Sequence, residues 1–426
     1  MTPGGLLIPI RVVPFFVLFF LVSCGSVEQL SLDESDPDAD FAEGEEAVFL
    51  FGTDFVSSGQ IYTADFDAAS SLSNTGVTGL GSSAVIRLFD GLLYVLHDGF
   101  SIGSSDNLQI LDPSGGLATV NQWSTGNGTN PQDLVVMENK AYISLYNPEN
   151  DETNVDGAGN PADVIVMNTE TGEMEKRLGF FDFLNDDGNR TGRAASMVLA
   201  DNLIYVCLQD LEGDSFEHNT SGLIGIINTS TDEVEGVITL QGRNPVDIAY
   251  SSGEEKLYVA NQAPFDFSLG NFDTSTSFGG LEIVNLNDPA GTILIDDEDL
   301  GGYVERLSVA TPLAVAAPPA SADGKVFVVA SEMDSATFAF TSGIVSMNDD
   351  NEELSGFTLF AGESSDVREM ASDGNGRLWI ARRTISADDG SASDPRVDVF
   401  DISSGDLVGE TMEPEVPVTS IAIGEI

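Results

Sequence analysis

Two histidines and two cysteines in 426 residues leave little for metal, thiol or serine-triad chemistry. The motifs that would organise such chemistry, G-x-S-x-G, H-E-x-x-H and paired C-x-x-C, are absent. Positive charge is equally scarce: 16 Lys and Arg stand against 70 Asp and Glu, a formal net charge of -54. That balance argues against nucleic acid or anionic lipid as a partner and points to a saline or cation-rich setting. Helical periodicity is missing as well. From Ala47 onward the chain shows short apolar or alternating runs broken by Gly, Asn, Asp and Ser, the texture of a nearly all-β protein.

The one long hydrophobic run, residues 12–22, is too short for a bilayer-spanning helix of roughly 20 residues, and a single charge, Arg11, precedes it. It ends in Leu21-Val22-Ser23-Cys24-Gly25, which resembles a bacterial lipobox. The resemblance implies a lipoprotein signal peptide over 1–23, a lipidated Cys24, and an anchor in the bacterial envelope, outer-membrane attached and periplasmic or surface-exposed. Residues 25–46 hold nine acids and no Lys or Arg, so 24–46 is expected to be an acidic tether reaching roughly 25 Å. With Cys24 acylated, Cys207 is the remaining thiol, set in an apolar run and expected to be buried and inert.

The remainder, 47–426, is built on a repeat. Seven short strands each run into Asp or Asn and a turn, at Asp65, Asp112, Asn168, Asn228, Asn285, Asn348 and Asp401. Upstream of each lies a strand marked by an aromatic: Phe49, Tyr94, Tyr142, Tyr205, Tyr258, Phe327 and Trp379. A more buried run usually precedes that one and another follows the Asp/Asn turn, so each unit holds four strands, here named A to D in chain order. Seven units of about 50 residues predict a seven-bladed β-propeller. The first unit lacks an A strand, and 418–423 looks like a spare one. The C-terminal strand is therefore expected to complete the first blade and remove its open edge.

Gly242-Arg243-Asn244-Pro245-Val246-Asp247-Ile248-Ala249, followed by Lys256-Leu257-Tyr258-Val259-Ala260-Asn261, resembles the repeat of YVTN/YncE-like seven-bladed propeller proteins of the bacterial envelope. Blade 3 echoes it in Asn130-Pro131-Gln132-Asp133, and Asp401-Ile402-Ser403-Ser404-Gly405 matches the turn after strand C. Blade 2 lacks the proline and blade 6 carries Phe327 in place of Tyr. The resemblance implies the fold; its relatives include envelope proteins without known chemistry, surface-layer proteins and sugar-lactone hydrolases, so it selects no single activity.

Loop length points to a binding face. A-to-B and C-to-D connections read as short, whereas B-to-C connections at 147–162, 209–221, 262–279, 332–342 and 384–395 are long, as are D-to-A connections at 182–193 and 296–306. Both long classes open on one face of a propeller, which is expected to carry all the elaboration. One of these loops holds Phe265, Phe267, Phe272 and Phe278, either a partner-binding surface or a loop folded onto its own rim. Arg190, Arg193, Arg243, Arg306, Arg368, Arg382 and Arg383 map to the same face. With Asp133, Asp247 and Glu369 at the starts of their A strands, they are expected either to line the channel mouth, as a clamp for a carboxylate or phosphate, or to pair with acids between blades. Acid clusters at 151–163, 185–189 and 296–299 offer oxygen ligands to calcium without the full spacing of a calcium loop, and solvated charge is the plainer reading.

Two functions follow as expectations. The first is a non-enzymatic, lipid-anchored monomer that binds a protein or glycan partner through its long-loop face. The second is a lactonase-like hydrolase using calcium and carboxylates at the channel mouth.

Overall fold

The repeated Asp or Asn at the end of strand C is a turn device. The Asn168 side chain accepts the backbone N–H groups of Glu170 and Thr171 at 3.1 and 3.0 Å, and Asp401 accepts those of Ser403 and Ser404 at 2.9 and 2.8 Å. Asn228 and Asn285 each hold the N–H two residues on. The side chain thus mimics a backbone turn and sends the chain back along the outer strand.

A computed structural model describes residues 45–426 except 56–57, 68, 99–105, 185–190, 211–220, 263–264, 267–270, 273–277, 310–324, 334–339, 349–352, 361–364 and 386–391. The lipobox, Cys24 and nearly all of the tether lie outside the described residues. The described chain forms seven antiparallel blades whose inner strands neighbour one another around a ring, a β-propeller. The inner strands of blades 2 to 7 are Ala84–Phe89, Pro131–Met137, Ala194–Ala200, Pro245–Ser251, Tyr303–Val309 and Ser365–Ser372. In blade 7 the outermost position is taken by 407–412, which meets strand Ala392–Asp401 through bridges at Val397–Met412 and Phe400–Leu407.

Closure occurs where the sequence places it. Val418–Glu425 is the inner strand of blade 1, paired antiparallel with Glu46–Gly52 from Glu46–Glu425 to Gly52–Val418. The first and last strands of the fold therefore lock the ring and leave no open sheet edge at the seam.

The core is divided among the seven contacts between neighbouring blades, each with its own apolar cluster. Strand B explains why. In Lys256–Asn261, Leu257 and Val259 pack toward blade 4 while Tyr258 and Ala260 pack toward blade 6. Side chains alternate across a strand, so a strand buried on both faces reads as a continuous apolar run. Cys207 belongs to one such cluster, and burial pushes its thiol well above the ordinary value.

Two expectations are corrected. The A-to-B connection of blade 6 spans residues 310–324, so elaboration is not confined to the B-to-C and D-to-A face. Strands also run further than expected in blades 6 and 7: Met333 pairs with Phe340 and Ile385 with Ala392, shortening those B-to-C connections to 334–339 and 386–391. Continued ladder hydrogen bonding carries the hairpins outward past the point where apolar alternation stops.

Candidate binding channel

Each inner strand of blades 3 to 7 enters the ring through a β-bulge. In blades 3, 5, 6 and 7 the residue directly after the bulge is Asp133, Asp247, Arg306 and Glu369 respectively. A bulge adds one unpaired residue and re-aims the side chains beside it. Here it turns four charged residues, from blades 3, 5, 6 and 7, toward a common cavity of about 590 Å³ bounded by the inner strands. That volume lies within the usual 300–1,000 Å³ or so of small-ligand sites.

The bulge also frees a backbone donor, and the charged side chain takes it up. Leu134 N–H donates to Asp133 Oδ1 at 2.8 Å, Ile248 N–H to Asp247 Oδ1 at 3.0 Å and Met370 N–H to Glu369 Oε1 at 3.0 Å. Three blades thus use the same local device to fix a carboxylate. Arg87 of blade 2 donates to Asp133 Oδ1 at 2.7 Å, and the single hydroxyl proton of Ser196 in blade 4 is shared between Asp247 Oδ1 at 3.0 Å and Asp133 Oδ2 at 3.2 Å. Met197 N–H adds 2.9 Å to Asp133 Oδ2. The result is a polar belt running from blade 2 to blade 7 in the order Arg87, Asp133, Ser196, Asp247, Arg306, Glu369. On blade 1 the wall is Thr419, Ile421, Ala422 and Ile423, without charge.

Glu369 is partly buried and senses Arg306, Asp247 and Arg87. Loss of water raises its pKa above the ordinary carboxyl range, Arg306 and then Arg87 oppose that rise, and Asp247 adds to it.

Of the residues expected at the mouth, Asp133, Asp247, Glu369, Arg306 and Arg368 line the cavity, Arg368 also lying 3.6 Å from Asp366. Arg193, Arg243 and Arg382 do not line it. Arg193 donates to Asn147 Oδ1 at 2.8 Å, and Arg382 donates to Asp398 at 2.6 Å and covers the Phe360 ring at 4.5 Å. Arg193 also occupies a turn position with φ 50°, equivalent to Asn130 and Asn244 before the prolines of blades 3 and 5. Arg383 binds Asp366, and Arg190 lies outside the described residues.

Arg243 lies over Phe278 at 3.5 Å, and its backbone N–H donates to the Phe278 carbonyl at 2.9 Å. Phe265 and Phe272 are paired in a two-stranded ribbon, Phe265–Asp266 with Asn271–Phe272, and Phe267 lies outside the described residues.

Arg87 and Ser196 were not singled out from the sequence. Alternation in Ala84–Phe89, with Ala84 and Ile86 buried, was the signal that Arg87 faces the other way.

The acid clusters at 151–163 and 296–299 brace loops, and the one at 185–189 lies outside the described residues. Asp151 accepts Thr153 N–H at 2.9 Å and Asn127 N–H at 3.2 Å, Asp156 accepts Ala158 and Asn160, and Asp296 caps Glu298 N–H at 3.0 Å. Asp163, fully buried, accepts Phe180 N–H at 2.9 Å and Gly192 N–H at 2.6 Å, and burial pushes its pKa up to about 7. Among the described residues no group of three or more His, Cys, Asp or Glu is arranged to hold a metal ion.

No known family profile matches the chain, and no curated protein matches it. Among solved structures, the periplasmic gluconolactonase of Pseudomonas aeruginosa is 13% identical, covers 89% of this chain and 98% of its own, and superposes with a TM-score of 0.57. A computationally designed protein, Ika8, is 11% identical over 89% of this chain and 91% of its own with a TM-score of 0.46. Kuenenia stuttgartiensis hydrazine synthase is 10% identical over 65% and 62% with a TM-score of 0.40. Identities this low speak to fold, and the gluconolactonase shares the seven-bladed propeller.

Proposed function

We propose that this chain is a non-enzymatic binding module, held in the bacterial envelope by a lipid on Cys24, that receives its ligand at the channel mouth. The observation that carries the reading is the belt of bulge-aimed residues, because its carboxylates are hydrogen-bonded in place. Asp133 accepts Arg87 and two backbone N–H groups, Asp247 accepts a backbone N–H, and the Ser196 hydroxyl is shared between the two. Groups fixed this way present a rigid polar surface, and a preorganised surface loses little entropy on binding. Nucleophile-and-base pairs of the serine or cysteine kind have no counterpart in the cavity lining.

The lipid anchor rests on the lipobox resemblance and the acidic tether. A Cys24→Ser chain is expected to lose acyl labelling and partition into the aqueous phase of a detergent extract. Labelling that persists in that variant contradicts the anchor.

A second reading, lactone hydrolysis, draws on the gluconolactonase neighbour and on Glu369, whose raised pKa suits a proton-transferring group beside Arg306. Hydrolysis of D-glucono-1,5-lactone above the spontaneous rate, abolished by Glu369→Gln, would favour it over the binding module.

A further inference from the structure

We propose that the channel ligand is a neutral, hydroxyl-rich ring of the saccharide class, held by the polar belt and stacked on Phe55; this rests on the reading of the channel as a binding site. Three observations lead there. The first is the sign pattern of the belt, in which Arg87 and Arg306 alternate with Asp133, Asp247 and Glu369 around Ser196. A free anion would meet Asp98, Asp247 and Glu369, with the buried Asp133 behind them, in a molecule of net charge -54, and a cation would meet Arg87, Arg306 and Arg368. A hydroxyl both donates and accepts, so a ring of hydroxyls satisfies both kinds of group at once.

The second observation is that uncharged and apolar surface lies beside the charges: Thr419 and Ile423 of blade 1 carry none, and Val85 and Val198 of blades 2 and 4 interleave with the belt. A saccharide ring is mixed in the same way, with hydroxyls around its edge and C–H bonds on its faces.

The third is Phe55, which lines the same cavity from the B-to-C connection of blade 1. Its side chain is 41% exposed and its backbone sits at φ 61°, a region that bulky residues rarely occupy. The conformation is imposed from outside. Phe55 N–H donates to Thr53 Oγ1 at 2.8 Å, the Thr53 hydroxyl donates to the Ser82 carbonyl, and Thr53 N–H donates to the Pro417 carbonyl at 2.8 Å. An exposed aromatic whose backbone is tied to Thr53, itself bonded to both flanking connections, is a fixed platform. The face of an aromatic ring carries negative charge density that attracts polarised C–H groups, so it suits the flat face of a pyranose.

The test is calorimetric titration of the full chain with methyl β-D-glucopyranoside, cellobiose, the open-chain polyol sorbitol, D-glucuronate and inorganic phosphate. The expected result is saturable binding of the two neutral ring sugars, weaker binding of sorbitol, and none of phosphate. Phe55→Ala is expected to weaken the ring sugars about tenfold or more while leaving sorbitol unchanged, and Phe55→Trp to retain them. Asp247→Asn, with an unchanged circular dichroism spectrum, is expected to weaken ring sugars and sorbitol alike. Sorbitol binding as tightly as the glucoside, or Phe55→Ala without effect, overturns the stacking inference. Binding of glucuronate alone overturns the neutrality of the ligand, and binding of phosphate alone overturns the saccharide class; either, if lost in Asp247→Asn, leaves the channel as a binding site. Sugar binding that Asp247→Asn leaves intact places the ligand elsewhere and overturns both.

Discussion

At the scale of single residues, the buried acids make stability pH-dependent in a direction opposite to the usual carboxylate. Asp163 and Asp297 are both fully buried, and desolvation pushes each pKa up to about 7 from 3.8. A group with a raised folded-state pKa holds its proton longer in the native state, so its contribution is complete below pH 4 and is lost as pH rises through 7. His97 acts the other way. Its ring accepts Gly81 N–H at Nδ1 and meets Gln109 at 3.1 Å, and burial lowers its pKa below 6.5, so its contribution is present above that pH and lost as pH falls. Asp163→Asn is therefore expected to reduce the fall in urea midpoint between pH 4 and 7; an unaltered pH profile would show that the carboxyl does not titrate in this range. Most of the belt was legible in the sequence, because Asp133, Asp247, Glu369 and Arg306 stand at the starts of runs that read as inner strands. Their shared place at the channel mouth was one of two expectations; the bulges that aim them there were not legible, because a one-residue shift in pairing leaves no composition signal. Arg193 misled for a related reason: a turn position in one repeat can carry a residue that looks functional.

At the scale of strands and turns, aromatic strand B and the Asp/Asn turn of strand C were readable because both are local and recur seven times. Strand ends in blades 6 and 7 were not, because ladder pairing there outlasts the apolar pattern. Trp379 is fully buried between blades 7 and 1, and its Nε1–H lies 3.4 Å from Asp373. Trp379→Ala is expected to destabilise the protein by about 3–5 kcal/mol, measured by urea unfolding. A loss under about 1 kcal/mol would mean that neighbouring blades collapse into the space. Gly172 gives a sharper local test: it sits at φ 71°, and an added Cβ would come within 2.4 Å of the Trp123 indole. Gly172→Ala is expected to cost stability through both strain and displacement of Trp123, visible as a shift in tryptophan fluorescence, whereas an unshifted spectrum would indicate that the turn itself gives way.

For the whole molecule, two features dominate: ring closure by the C-terminal strand and the large negative charge. Removing 418–426 leaves Glu46–Gly52 with an unpaired edge and uncovers Val48 and Leu50, which pack against that strand in the cluster shared with blade 7. Cooperative unfolding is expected to disappear in the truncated chain; a single sharp transition there would show that six blades and a partial seventh suffice. Self-repulsion at a net charge of -54 falls as the screening length drops from roughly 10 Å at 0.1 M salt to about 3 Å at 1 M. The unfolding temperature is accordingly expected to rise with sodium chloride across that range, and a flat or falling response would mean that attractive ion pairs outweigh the repulsion.

The binding role of the channel is tested most directly by titrating methyl β-D-glucopyranoside into the wild-type chain and into the Asp247→Asn/Arg306→Leu double variant, both first shown to be folded by circular dichroism. Saturable binding by the wild type that the double variant loses is the expected result. Equal affinity in the two chains, or no heat of binding in either, would contradict the channel as the site for this class of ligand.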